Sequence, residues 1–148
     1  IGNCIGCYRC VNDSMCSLQD DMTAIRDALQ AANVMILASP LYWWGVTGLM
    51  KTFIDRLFFY YYPRNRGLIS GKNAVIVTPM AAEHDTTSVA DLLAEFYKRL
   101  WNRLEVNIIE MVFFGGLMDK RAVLERPEYL EQAYALGEGL RKWLKNSD

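Results

Sequence analysis

Val34-Met35-Ile36-Leu37-Ala38 runs directly into Ser39-Pro40-Leu41-Tyr42-Trp43-Trp44-Gly45. The first five residues form a short, unbroken apolar run between two helical patterns. Such a run suits a strand buried on both faces. Upstream, Met22, Ile25, Ala28, Leu29 and Ala32 recur at helical spacing, and Asp20 and Asp21 can cap a helix over residues 22–32. Downstream, Leu49, Phe53, Ile54 and Leu57 form a second apolar stripe, with Lys51, Asp55 and Arg56 among the polar positions. A loop with Pro63, Gly67 and Gly71 ends this unit.

The same alternation continues to the end of the chain. Ala74-Val75-Ile76-Val77-Thr78 reads as the next strand, and Pro79 stops it. Residues 81–87 are polar and loop-like. A long helix follows, with Val89, Leu92, Leu93, Phe96 and Leu100 on one face. Val106 to Phe113 is a third strand, closed by Gly115-Gly116. A last helix is predicted from Pro127 to Lys145, with Tyr129, Ala133, Leu136, Leu140 and Trp143 inward. Regular helix–strand alternation implies an α/β fold with a parallel sheet and right-handed crossovers. Three strands are few for four helices, and the 34–38 strand would be an exposed apolar edge. The expectation is a single domain over 1–148 that is N-terminally incomplete, lacking a β-α-β start of roughly 30 or more residues.

Composition narrows the classes. The chain has 148 residues, 52% of them hydrophobic, and carries 16 basic against 17 acidic residues for a net charge of −1. A balance this even, with interleaved charges, leaves no footprint for nucleic acid. No apolar run approaches the roughly 20 residues of a membrane span, so no membrane partner is expected.

Open α/β sheets bind ligands beyond the carboxyl ends of their strands. Ser39 to Gly45 lies at such an end. Pro40 stiffens the turn, and Gly45 and Gly48 would let backbone approach a ligand closely. Tyr42, Trp43 and Trp44 offer planes for a flat aromatic group, and free amides in the turn could hydrogen-bond its polar edge. The plainer reading makes these aromatics core or dimer surface.

All four cysteines, Cys4, Cys7, Cys10 and Cys16, fall at the start of the chain. Clustering of this kind points to a local metal or redox site in a reducing compartment, so a cytoplasmic location is expected. Tight spacing suits iron–sulfur ligation. Zinc and free or disulfide-bonded thiols remain the alternatives.

Two segments carry a family resemblance. Ser39-Pro40-Leu41-Tyr42, followed by Gly48-Leu49-Met50-Lys51-Thr52-Phe53-Ile54-Asp55-Arg56, resembles the signature of the NADPH-dependent FMN reductase and iron–sulfur flavoprotein group. Cys4-Ile5-Gly6-Cys7-Tyr8-Arg9-Cys10, then Cys16 and Asp20-Asp21-Met22, is similar to the cysteine segment of the same group. The resemblance implies a flavodoxin-like open parallel sheet with helices on both faces, the visible strands being 3-4-5 of the order 2-1-3-4-5. It implies FMN held by Ser39, Pro40, Leu41, Tyr42, Trp43, Trp44 and Gly45, with Pro79, Met80, Ala81, Ala82 and Glu83 across the ring. The group's phosphate-binding loop has no counterpart in these residues. The resemblance further implies NAD(P)H as hydride donor and a homodimer or homotetramer.

The leading expectation is therefore an enzyme passing hydride from NAD(P)H through FMN to a quinone, flavin, nitro or azo compound, or metal acceptor. Such chemistry requires no protein acid or base, so no catalytic side chain is assigned. His84, the only histidine, sits between Glu83 and Asp85 in a segment that reads as a solvated loop. An electron carrier with a [4Fe-4S] cluster on Cys4, Cys7, Cys10 and Cys16, working with a small-molecule or protein acceptor, is the alternative. A non-catalytic module is the third. Lys51, Asp55 and Arg56 read as structural or dimer-contacting charges. Phe58 to Tyr62, with Arg64 and Arg66, reads equally as an interface or a packed helix end.

Overall fold

The computed structural model describes residues 1–83 and 87–145. Its elements, in order, are α1 (Arg9–Asn12), α2 (Met22–Ala31), β1 (Val34–Ala38), α3 (Gly48–Arg56), a 3-10 turn (Leu57–Tyr60), α4 (Pro63–Arg66), β2 (Asn73–Pro79), α5 (Thr87–Leu104), β3 (Asn107–Phe114), a second 3-10 turn (Ala122–Glu125) and α6 (Pro127–Lys145). The strands pair in the order β1-β2-β3, all parallel. Parallel neighbours need long crossovers, which α3 and α5 supply.

Strand alternation sorts the side chains to two faces. Met35 pairs beside Ala74 and Leu37 beside Ile76. These four join a core with Met22 of α2, Ile54 of α3, and Leu93, Tyr97, Trp101 and Leu104 of α5. Val75, Val112 and Phe114 are also buried but lie outside that cluster. Phe114 meets Tyr129 of α6, with ring centroids 4.9 Å apart. Helices therefore cover both faces, as a flavodoxin-like α/β sheet requires. A bulge in β3 moves the partner of β2 from Ile108 to Glu110 between Ala74 and Val75.

Several expectations need correction. The 34–38 strand is not buried on both faces: Met35 and Leu37 are buried, whereas Ile36 is 60% exposed. It stands at the sheet edge, and α6 reaches that face on the β3 side. Leu49 is 85% exposed, and Met50 packs against the core in its place. Leu49 belongs to the first turn of α3. Leu92 is exposed too, because the buried stripe of α5 is Leu93, Tyr97, Trp101 and Leu104. A residue one position off a stripe lies about 100° around the helix. On α6 only Leu140 is buried, while Ala133 and Trp143 are exposed. The segment after Pro63 is a short helix rather than a loop, with Pro63 in its first turn.

Trp101 and Tyr97 are fully buried in the centre of this core. Burial pushes the Tyr97 hydroxyl up to about 12, and its oxygen meets no partner among the described residues. Trp101→Ala is expected to lower unfolding stability by about 3–5 kcal/mol in urea titration. Tyr97→Phe is expected to leave it unchanged or raise it, because an unpaired buried hydroxyl is removed.

Candidate functional site

The ladder between β1 and β2 continues beyond the strands. The Ser39 amide donates to the Val77 carbonyl at 3.1 Å, and the Leu41 amide to the Pro79 carbonyl at 3.0 Å. Tyr42 and Gly45 then exchange both backbone hydrogen bonds, at 2.9 and 3.0 Å. The two residues between them, Trp43 and Trp44, have φ of 49° and 59°. A two-residue reversal with both φ positive is a type I′ turn. Left-handed backbone costs a bulky residue about 1–2 kcal/mol. Gly45 and Gly48, expected to let backbone approach a ligand closely, do not have positive φ, and a Cβ at Gly48 would meet open space.

Ser39 is buried and braces the turn. Its Oγ accepts the Thr47 amide at 3.2 Å, and Thr47 Oγ1 accepts the Met50 amide at 3.3 Å, capping α3. Tyr42, Trp43 and Trp44 face outward, Trp43 with 89% of its surface exposed. Among the described residues the amides of Trp43 and Trp44 meet no acceptor. The turn thus presents two donors and three aromatic planes beyond the carboxyl edge.

The second loop sits beside it. Met80 donates to Phe114 at 2.8 Å, Leu117 to Met80 at 3.0 Å, and Gly116 to Ala82 at 3.0 Å. Met80 is buried and both its backbone groups are claimed, by Phe114 and Leu117, so it braces the loop, whereas Ala81 is exposed. Glu83 pairs with Arg126 at 3.4 Å. Gly116, at φ 70°, makes room for that pair: a Cβ there would lie 2.8 Å from Glu83 Oε1 and 2.9 Å from Arg126 Nη2. Thr47, Gly116 and Arg126 were missed as site supports. Thr47 before the helical run was the one readable signal, as a Ser/Thr cap. His84 lies outside the described residues.

The four thiols are free and line one cavity of about 20 Å³, together with Arg56 and Phe58. That volume holds about one water molecule. Cys7 Sγ lies 3.0 Å from Ser17 Oγ, which favours its thiolate and lowers its pKa. Burial, then the nearby Cys16, pushes the Cys10 thiol up. Among the described residues no three His, Cys, Asp or Glu side chains are arranged to hold a metal ion.

Arg56 explains how this segment is held. It is buried, and its Nη1 donates to Asp20 Oδ2 at 2.7 Å and to the Gly2 carbonyl at 2.8 Å. Its Nη2 donates to Asp20 Oδ1 at 3.0 Å and lies 3.5 Å from Cys16 Sγ. Asp20 also accepts the amides of Gly2 and Met22. Arg64 donates to the Asn12 carbonyl, and Asn65 to the Cys10 carbonyl at 3.0 Å. Arg56 is thus structural, as is Lys51, which pairs with Asp55 at 2.5 Å. Within Phe58 to Tyr62, Phe59 and Tyr60 are core, and Phe58 stacks on Tyr61 at 5.5 Å.

Comparison with known proteins gives the family and the fold. Residues 3–114 match the family model of NADPH-dependent FMN reductase. An iron-sulfur flavoprotein of Archaeoglobus fulgidus is 38% identical over 76 residues, covering 51% of this chain and 34% of that protein. An FMN-dependent NADH:quinone oxidoreductase of Yersinia pestis is 25% identical over 126 residues, covering 78% of this chain and 62% of that protein. The chain therefore spans about a third of the first relative's length and under two thirds of the second's. In fold it is similar to the Trp repressor binding protein of Bacillus subtilis, at a TM-score of 0.62 and 21% identity over 74% of this chain and 67% of that one.

The Arg56 guanidinium, with the two amides, holds the Asp20 carboxyl well below the ordinary carboxylate range. In acid the folded chain keeps Asp20 ionised where an unfolded carboxylate already binds a proton, so stability rises with pH there. That contribution is complete above the unfolded value of about 4 and is lost as pH falls toward the depressed one. Asp20→Asn is expected to lower the unfolding midpoint at neutral pH and to flatten its decline in acid. Thermal unfolding at a series of pH values measures both.

Proposed function

The chain belongs to the NADPH-dependent FMN reductase family, and on that premise we propose that it binds FMN at the Tyr42–Gly45 turn and passes hydride from NAD(P)H to a quinone. One observation carries the reading. The turn stands at the carboxyl edge of a parallel sheet with the Trp43 and Trp44 amides unclaimed and aromatic planes outward. That donor set fits the polar edge and flat faces of an isoalloxazine. When bound, FMN would supply hydride acceptance and donation.

The chain's own residues bind and orient. The turn amides would hold the polar edge of the ring, and Tyr42 would flank it. The backbone of Pro79 to Glu83 would face the ring from the neighbouring loop, whose position the Met80–Phe114 and Gly116–Ala82 hydrogen bonds maintain. Glu83 is paired with Arg126, so it places no uncompensated carboxylate at the site. No side chain needs to move a proton for hydride transfer.

Quinone is favoured as acceptor by the Yersinia pestis relative. Flavins, nitro and azo compounds and metal centres are the competing acceptors. A homodimer or homotetramer in the cytoplasm belongs to the same reading, the latter supported by four unpaired thiols.

A second reading has a specific observation behind it. The four thiols share one cavity, and the Archaeoglobus fulgidus relative is an iron-sulfur flavoprotein. The thiols as they stand do not fit a [4Fe-4S] cluster, because their cavity holds about one water.

Titrating the FMN-loaded protein with NADPH under anaerobic conditions is expected to bleach its flavin absorbance. A band that never bleaches removes the reductase reading. Iron and acid-labile sulfide, assayed on the same anaerobic protein, are expected to be absent. About four of each per chain would favour the carrier.

A further inference from the structure

Among the described residues, Cys4, Cys7, Cys10 and Cys16 share one small cavity without being arranged to hold a metal ion. Clustered thiols that hold no metal have another general chemistry, the exchange between dithiol and disulfide. The four are not equivalent in it. Cys7 is exposed, and its Sγ lies 3.0 Å from the Ser17 hydroxyl and accepts the Arg9 and Ser17 amides. Gly6 and Tyr8, on either side of it, have φ of 61° and 57°, so the backbone bends around this sulfur. Donors converging on an exposed sulfur are what a nucleophilic thiolate requires.

Cys10 is three residues on, inside α1, half-buried and packed against the core. Cys7-Tyr8-Arg9-Cys10 is therefore a C-x-x-C pair with an exposed, hydrogen-bonded first sulfur and a sheltered second, both lining the same cavity. Cys16, the other half-buried thiol, is engaged by Arg56 Nη2 at 3.5 Å. α1 is a single turn with no buried residue, so the turn that carries Cys10 can shift by the small distance a bond needs.

We propose that Cys7 and Cys10 form a redox-active dithiol, in which Cys7 attacks a hydroperoxide and Cys10 closes the disulfide. The attack forms a bond from Cys7 Sγ to one peroxide oxygen and breaks the O–O bond. The departing hydroxide takes up the proton that Cys7 released and leaves as water. Cys10 Sγ then displaces the oxygen from Cys7, forming the S–S bond and releasing a second water with its own proton. The peroxide gains two electrons, and the two sulfurs lose them. The step uses no flavin, so it stands independently of the reductase reading.

The test uses the whole chain, isolated anaerobically, assayed for iron and sulfide and then fully reduced. A short pulse of iodoacetamide is expected to label Cys7 about tenfold faster than any other thiol, as fragmentation of the labelled peptides reads out. One equivalent of hydrogen peroxide is expected to lower the titratable thiols from four to two per chain, with a Cys7–Cys10 bond in the peptide map. Ser17→Ala is expected to slow Cys7 alkylation about three- to tenfold, the effect of one hydrogen bond, with the thermal midpoint unchanged. Cys10→Ser is expected to leave Cys7 as a sulfenic acid that dimedone captures. Equal labelling of the four thiols overturns the proposal. So does a Cys10–Cys16 bond with Cys7 left free. So do about four iron and four sulfide per chain, because the thiols would then be cluster ligands.

Discussion

The hydrogen bond from the Leu41 amide to the Pro79 carbonyl, with its neighbour from Met80 to Phe114, is the constraint on which the site depends. Both extend the parallel ladder past the last strand residues. A loop leaving a strand usually has freedom to drift. Here each loop remains registered to the next by main-chain bonds, so three segments from distant parts of the sequence emerge at one edge. The order β1-β2-β3 determines which loops are neighbours, and the ladder sets their heights.

Arg56 performs a comparable service for the amino-terminal segment. α1 is a single short turn with no buried residue, too small to hold itself in place. The segment is held by side chains: Arg56 through Asp20 and Gly2, Asn65 through the Cys10 carbonyl, and Thr52 through Asn3. A buried guanidinium satisfied on both nitrogens by one carboxylate is a directional clamp. It joins the thiol segment to the end of α3, the helix whose first turn is capped by the loop carrying Trp43 and Trp44. The two candidate redox features are thus attached to opposite ends of one helix.

Much of the fold was legible because its strands are short and apolar and its helices periodic. β2 reads as an unbroken apolar run and is buried through Ala74, Val75 and Ile76. β1 reads the same way and is half exposed, because a run of apolar residues says nothing about what covers each face. Leu49 and Leu92 show a related limit. An apolar residue beside a stripe counts toward the pattern in sequence, yet lies a quarter-turn or more from the core in space. The site was legible as a place and less so as a geometry. Ser39 and Met80 were read as ligand-facing, and their side chains turn inward to brace the loops. Arg56 was visible as a charge, but its partners lie 36 and 54 residues away. The left-handed backbone at Trp43 and Trp44 had no signal in the sequence, because glycine is the usual carrier of positive φ in such a turn.

Positive φ is not by itself a sign of function, and the chain contains its own control. Glu105 also has positive φ, at 58°. Its carbonyl accepts the Gly71 amide at 2.7 Å, and its carboxylate pairs with Arg66 at 2.9 Å. The strain there is offset by contacts that tie the end of α5 to the loop before β2, and a structural account suffices. Trp43 and Trp44 have no such return: their amides meet no acceptor among the described residues and their rings are turned outward. Local preference and global geometry normally agree in a folded chain, and disagreements concentrate where something outside the chain is bound. At Trp43 and Trp44 that disagreement is met by no hydrogen bond to the turn amides among the described residues. Its outward rings and unclaimed amides set it apart from Glu105, where contacts within the chain account for the geometry.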